Sequence, residues 1–99
     1  MKKVLFRVDG SSLLGMGHVM RCVGLAQAFL KKNCFPLFIV REDEAKFIIE
    51  SFGFEVELLP KDLGLRDEKD FLDNFKSELI VIDLNNKEVL SDLNSFQIF

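Results

Sequence analysis

The chain has no tryptophan, no tyrosine, one histidine, two cysteines and two prolines in 99 residues. Each scarcity excludes something. All aromatic rings come from eleven phenylalanines, which fill a core but carry no hydroxyl or indole N–H for a ligand. Cys22 and Cys34 are too few, and too unlike a CxxC pair, for a disulfide framework or a zinc site. Cys22, in a helical pattern beside Val23, reads as a buried reduced thiol. No cluster has metal-ligand spacing. No stretch approaches the roughly 20 apolar residues that span a bilayer. The N-terminus, MKKVLFRVDG, is basic and then apolar, but Arg7 and Asp9 interrupt it before it could form a signal-peptide core. The net charge is -3, with no basic face for nucleic acid. Lys31 and Lys32 read as a solvated helix end. A cytoplasmic protein of one modest domain, without a nucleic-acid partner or a membrane span, is expected.

What is present is alternation. Hydrophobic residues make up 48% of the chain, enough for a core. Val4 to Val8 is an apolar run ended by Asp9-Gly10, the pattern of a strand buried on both faces. From Gly17 to Lys32 the apolar residues Val19, Cys22, Val23, Ala26, Phe29 and Leu30 recur at helical steps, and Asn33 suits the stop. Phe35 to Val40 predicts a second strand, with Pro36 at its start. Asp43 to Phe52 predicts a short helix with Ala45, Phe47, Ile48 and Ile49 inward and Gly53 as its stop. Phe54 to Leu59 alternates apolar and acidic residues, as a half-exposed strand near an edge does. Pro60 to Leu65 reads as a loop, and Asp67 to Phe75 as a helix with Phe71, Leu72 and Phe75 on one stripe. Glu78 to Leu84 is a clean strand with Asp83 at its carboxyl end. A turn at Asn85-Asn86, a helix from Lys87 to Leu93 and a strand from Phe96 to Phe99 complete the series. Because Gln97-Ile98-Phe99 cuts an apolar strand without a polar tail, the chain is expected to be part of a longer one.

Alternating strands and helices imply the α/β class, a parallel sheet with helices on both faces, under right-handed crossovers. A strand order of 3-2-1-4-5 would put the switch point between the strands ending at Val8 and Leu84. Ligands of open α/β sheets bind there, so Asp9 and Asp83 would flank one crevice.

The stretch Asp9 to Arg21 (DGSSLLGMGHVMR) joins the first strand to the first helix. Gly15-Met16-Gly17-His18 starts like a dinucleotide fingerprint, but Met20 stands where the third glycine belongs and the turn is too long. A dinucleotide is therefore rejected, and no cofactor is expected. Glycines at a helix N-terminus still let backbone N–H groups approach an anion. His18 and Arg21 are three residues apart, hence on one helical face. The helix N-terminus disfavours an imidazolium, which suits a proton acceptor, and Arg21 suits a carboxylate or phosphate. The alternatives stay open: a hydrogen-bonded structural histidine, and an Arg21–Asp9 ion pair that holds the loop. Ser11 and Ser12 could donate to a sugar or phosphate, or serve as ordinary loop and cap residues. Asp83 could orient a ligand hydroxyl or cap the following helix.

Arg7-Val-Asp9, Ser11-Ser12, Gly15-Met-Gly17-His18-Val-Met-Arg21-Cys22 and Leu25-Ala26 together resemble the N-terminal signature of the nucleotide-sugar hydrolases of the pseudaminic-acid pathway and their spore-coat polysaccharide relatives. The motif spans about twenty residues, and the Ile-Asp pair at Asp83 fits it too. The resemblance implies a Rossmann-like parallel sheet, the first part of the N-terminal domain of a glycosyltransferase-B-like fold. It also implies a C-terminal nucleotide-binding domain, as the partner of this one. The implied substrate is a UDP-2,4-diacetamido-2,4,6-trideoxyhexose, whose UDP is displaced by water at the anomeric carbon. His18 falls on the family's catalytic base and Gly15 and Gly17 on its glycine loop. Arg7, Asp9, Ser11, Ser12, Arg21 and Asp83 fall on the sugar side. Leu84 and Asn85 depart from the histidine and aromatic residue of the pseudaminic branch and stand closer to the spore-coat branch. A glycosyltransferase of the same fold and a non-catalytic sugar-phosphate-binding module are the competing expectations.

Overall fold

The computed structural model describes residues 2–11, 15–60, 62–75, 77, 79–83 and 96–97. The expected turn at Asn85-Asn86 and helix from Lys87 to Leu93 lie outside the described residues, as do Ser12 and the last two residues of the expected final strand.

The elements follow the predicted alternation: β1 (Lys2–Val8), α1 (Gly17–Lys31), β2 (Cys34–Val40), α2 (Asp43–Ser51), β3 (Glu55–Leu58), α3 (Leu65–Asp73), β4 (Leu79–Asp83) and β5 (Phe96–Gln97). Four parallel strands and the short β5 form one sheet in the order β3-β2-β1-β4-β5. Every described pairing is parallel, and β1 lies between β2 and β4. The chain thus winds outward through β2 and β3, then crosses back to start β4 on the other side of β1. Val8 pairs with Asp83 at the carboxyl ends of the two strands.

Strand alternation sends two apolar sets to opposite faces. Val4, Phe6, Val8, Phe38, Val40 and Val81 pack under α1 and α2, against Val19, Cys22, Val23, Ala26, Ala45 and Ile49. Leu5, Leu37, Ile39, Ile80 and Ile82 face the other way, toward Leu72 of α3 with Phe71 and Phe75 beside it. The first face is phenylalanine-rich: the rings of Phe6 and Phe38 stack at 4.8 Å, and Phe54 lies 5.6 Å from Phe38. Cys22 is buried and forms no disulfide.

The helix ends follow backbone chemistry. Asn33 (φ 63°) and Gly53 (φ 90°) take the left-handed conformation that ends α1 and α2, and their N–H groups donate to Leu30 and Glu50 carbonyls, the usual C-terminal closure. β2 begins at Cys34, one residue earlier than expected, which makes Pro36 its third residue, ahead of the β2–β3 ladder that starts at Leu37. β3 is the expected edge strand with alternating exposure.

Three expectations change. Phe47 is not inward; it is 74% exposed. The face of α2 that meets the sheet carries Ala45 and Ile49, and Phe47, two residues from each, is rotated about 200° away from them. Leu30 is also exposed, which its helical phase does not explain. Finally, α3 begins at Leu65, two residues early, because Gly64 adopts an extended N-cap conformation and its carbonyl accepts the Glu68 N–H at 2.9 Å.

Candidate functional site

The β1–α1 connection lies at the carboxyl end of the central strand, beside the end of β4. Its first residue, Asp9, follows β1 directly. Gly10 comes next and admits nothing larger: a Cβ there would stand 2.5 Å from Val19 and 3.0 Å from the Met16 sulfur. The loop is thereby pressed onto the first turns of α1. Ser11 and Gly15 then pair across the turn, with the Gly15 N–H donating to the Ser11 carbonyl at 2.7 Å. Ser11 is only 6% exposed. Gly15 has φ 90°, a conformation that favours glycine.

Beyond that pairing the site opens. Among the described residues, a Cβ at Gly15 or Gly17 would meet nothing within 4 Å. Met16 is the N-cap of α1, with no side-chain cap and no acidic residue in the first turn. No described residue therefore packs over the positive end of the helix dipole at Gly17. His18 is half-buried and Arg21 exposed. An Arg21 Nη2 lies 3.2 Å from His18 Nδ1, so the three-residue spacing brings the two together as expected. Next to this loop is a depression of about 550 Å³ lined by Met16, Asp43, Glu44, Phe47 and Ile48. It offers apolar surface and carboxylates but no cation, and so does not suit a phosphate.

Arg7 and Asp9 belong to a different assembly. Arg7 occupies the α3 side of β1, in register with Ile39 and Ile82, and is 1% exposed. Its Nε donates to Glu68 of α3. Its two terminal nitrogens hold the two Asp9 carboxylate oxygens at 2.7 and 3.1 Å. Arg41, just past β2, closes the cluster. Its N–H donates to Asp9 Oδ1 at 3.2 Å and its Nη2 to Glu68 Oε2 at 2.7 Å. Burial would depress the Arg7 guanidinium, but hydrogen bonds and charge from Asp9 and Glu68 outweigh it, so its pKa rises above the ordinary arginine value. The expected sugar-side role of Arg7 is not met by this geometry: its guanidinium is turned inward and occupied. It holds the loop by fixing Asp9.

Glu68 and Arg41 were not singled out by sequence reasoning, yet a signal was present. Glu68 is three, four and seven residues before Phe71, Leu72 and Phe75, so it shares their stripe. A carboxylate on an apolar helix face and an arginine inside an apolar strand each require a partner, and each is the other's. Asp83 ends β4 opposite Val8, which places its backbone across from the Asp9 loop as predicted. Among the described residues, no three His, Cys, Asp or Glu side chains are placed to hold a metal ion, and no helix is long and apolar enough to cross a membrane.

This topology, with helices on both faces and the connection at its switch point, defines a Rossmann-like α/β protein. The chain is similar to the universal stress protein of Archaeoglobus fulgidus, with a TM-score of 0.62 and 17% identity over 99% of this chain and 97% of that one. At that identity the likeness concerns the fold alone. No protein-family model and no curated protein matches the chain.

Proposed function

We propose that this chain supplies the sugar-facing part of a cytoplasmic nucleotide-sugar hydrolase. Its substrate is a UDP-2,4-diacetamido-2,4,6-trideoxyhexose, in the biosynthesis of a nonulosonic acid or a surface polysaccharide. A C-terminal domain of the glycosyltransferase-B type would hold the nucleotide. The observation that carries this reading is the first turn of α1. A helix start without a side-chain cap, over whose Gly15 and Gly17 no described residue packs, carries the one histidine of the chain, with Arg21 at its side.

In the reaction His18 accepts a proton from water as the water oxygen bonds to the anomeric carbon. The bond from that carbon to the diphosphate oxygen breaks, and UDP leaves with the electron pair. The helix N–H groups and Arg21 face the negative charge that develops on the leaving group. His18→Ala in the full-length protein is expected to lower UDP release from the UDP-sugar by at least about a hundredfold, the usual worth of a positioned base. A mutant with the wild-type rate removes the mechanism. A transferase would instead need an acceptor other than water, which product analysis detects.

A further inference from the structure

β3 is the outermost described strand on one side of the sheet. Among the described residues it pairs with β2 alone, so its outer side carries backbone groups without a ladder. The Leu59 N–H donates to the Val40 carbonyl of β2 at 2.8 Å. Successive residues in a parallel ladder turn their N–H and C=O to alternate sides. Glu55 and Glu57 therefore share the β2 side with Leu59, and Val56 and Leu58 turn both backbone groups outward. The side chains alternate too, above and below the sheet. Val56 and Leu58 lean on the core under α1 and α2 but stay half-buried. Glu55 and Glu57 lie in register with Leu37 and Ile39, on the α3 side of the sheet, and both are exposed.

We propose that this edge docks an extended segment of a partner protein in which Lys or Arg alternates with Val, Ile or Leu. Such a segment adds a strand to the sheet. Its backbone meets the outward N–H and C=O groups of Val56 and Leu58. Its apolar side chains extend the half-covered surface of those two residues, and its cations stand beside Glu55 and Glu57. Charge selects this occupant, because opposite charges across two strands attract and like charges repel. A second copy of this chain is the occupant the charges refuse. Placed antiparallel with Val56 opposite Leu58, it sets Glu57 against Glu57 in the closer, non-hydrogen-bonded kind of pair. An acidic segment meets the same repulsion. A strand as short as Glu55–Leu58 offers few backbone bonds, so the side-chain pairs decide which segment stays. The surface lies two strands from the β1–α1 connection and does not depend on the hydrolase reading.

The test adds short labelled peptides with blocked ends to the protein at low salt. One alternates Lys and Val, one alternates Glu and Val, and one has the Lys-Val composition with like residues grouped. Fluorescence anisotropy is expected to show the alternating basic peptide bound at least about tenfold tighter than either of the others, since only it sets attracting pairs in register. Hydrogen exchange at the Val56 and Leu58 amides is expected to slow in that complex. Glu55→Lys with Glu57→Lys, both at exposed positions, should transfer the preference to the acidic peptide. Far-UV circular dichroism checks the fold of this variant. Should it unfold, Glu55→Gln with Glu57→Gln keeps the side-chain shape, removes the charge and should level the affinities for the two alternating peptides. The docking site is overturned by an alternating basic peptide that does not bind, that binds no tighter than the grouped one, or that binds without protecting Val56 and Leu58. Dimers of the protein alone that protect those same amides overturn it equally, as does a folded variant that keeps the wild-type preference.

Discussion

Two arginines at the same end of the sheet meet opposite fates. Arg7 leaves β1 toward α3 and is sealed among Asp9, Glu68 and Arg41. Arg21 leaves α1 toward solvent and touches the chain's one histidine. The first region is closed, with its charges neutralised internally. The second is more open, with glycines over which no described residue is packed. The difference teaches how one loop can be both rigid and accessible. The buried cluster ties the root of the β1–α1 connection to β2 and α3, so its glycine-rich half can stay uncovered without losing its place. Residue type does not separate the two roles. Their surroundings do: Arg7 meets the buried Glu68 of α3, whereas Arg21 lies exposed on α1 against His18.

The strongest way to break this comparison is to unpair the closed region. Arg7→Met should leave Glu68 buried with one partner fewer and destabilise the fold by about 3 kcal/mol, the lower end for a broken buried ion pair. That is a large share of a small domain's stability. Adding Glu68→Leu should recover much of the loss, since well-packed apolar residues replace buried pairs without penalty. Urea denaturation measures both. If the single change is silent, the cluster does not hold the loop. The pH dependence follows from the raised Arg7 pKa. A group whose folded pKa lies above its unfolded value contributes fully below the unfolded value and loses that contribution only above it. For arginine that window lies beyond ordinary working pH, so the gap between wild type and Arg7→Met should stay constant from neutral to mildly alkaline conditions.

Gly10→Ala tests where closed turns into open. Its Cβ would overlap Val19 and crowd Met16, and overpacking of this kind costs about 1–3 kcal/mol. Thermal melting should show it, and a wild-type melting temperature would mean that the loop can lift off α1. The smallest stability effect belongs to Gly17→Ala. No described residue lies near the added methyl, so stability should stay within about 1 kcal/mol of wild type, the scale of the alanine–glycine difference in a helix. Turnover of the UDP-sugar should nevertheless fall, because the methyl occupies the space in which the anion approaches. Unchanged turnover would make Gly17 an ordinary helix start.

Much of the fold was legible before any coordinates. The strand order, the adjacency of the first and fourth strands, and the stops at Asn33 and Gly53 all follow from periodicity, handedness and backbone conformation, which act locally or by simple topological rule. Phe47 was misplaced because a hydrophobic count ignored the 100° step of the helix. The candidate site was half legible. His18, Arg21 and the glycines around them are neighbours in sequence, and helical spacing alone sets them side by side. Arg7 and Asp9 are close in sequence, but the second carboxylate partner of Arg7, Glu68, lies 61 residues away, and no local pattern connects the two.

The sequence by itself determined the parallel α/β layering and the assembly of histidine, arginine and glycines at one helix start, because those depend on spacings of a few residues. Only the tertiary structure decided which charges are sealed and which are left open. That depends on which helix closes over which face of the sheet: burial requires opposite charges around Arg7, and the local Asp9 is joined by Glu68 only because α3 packs there.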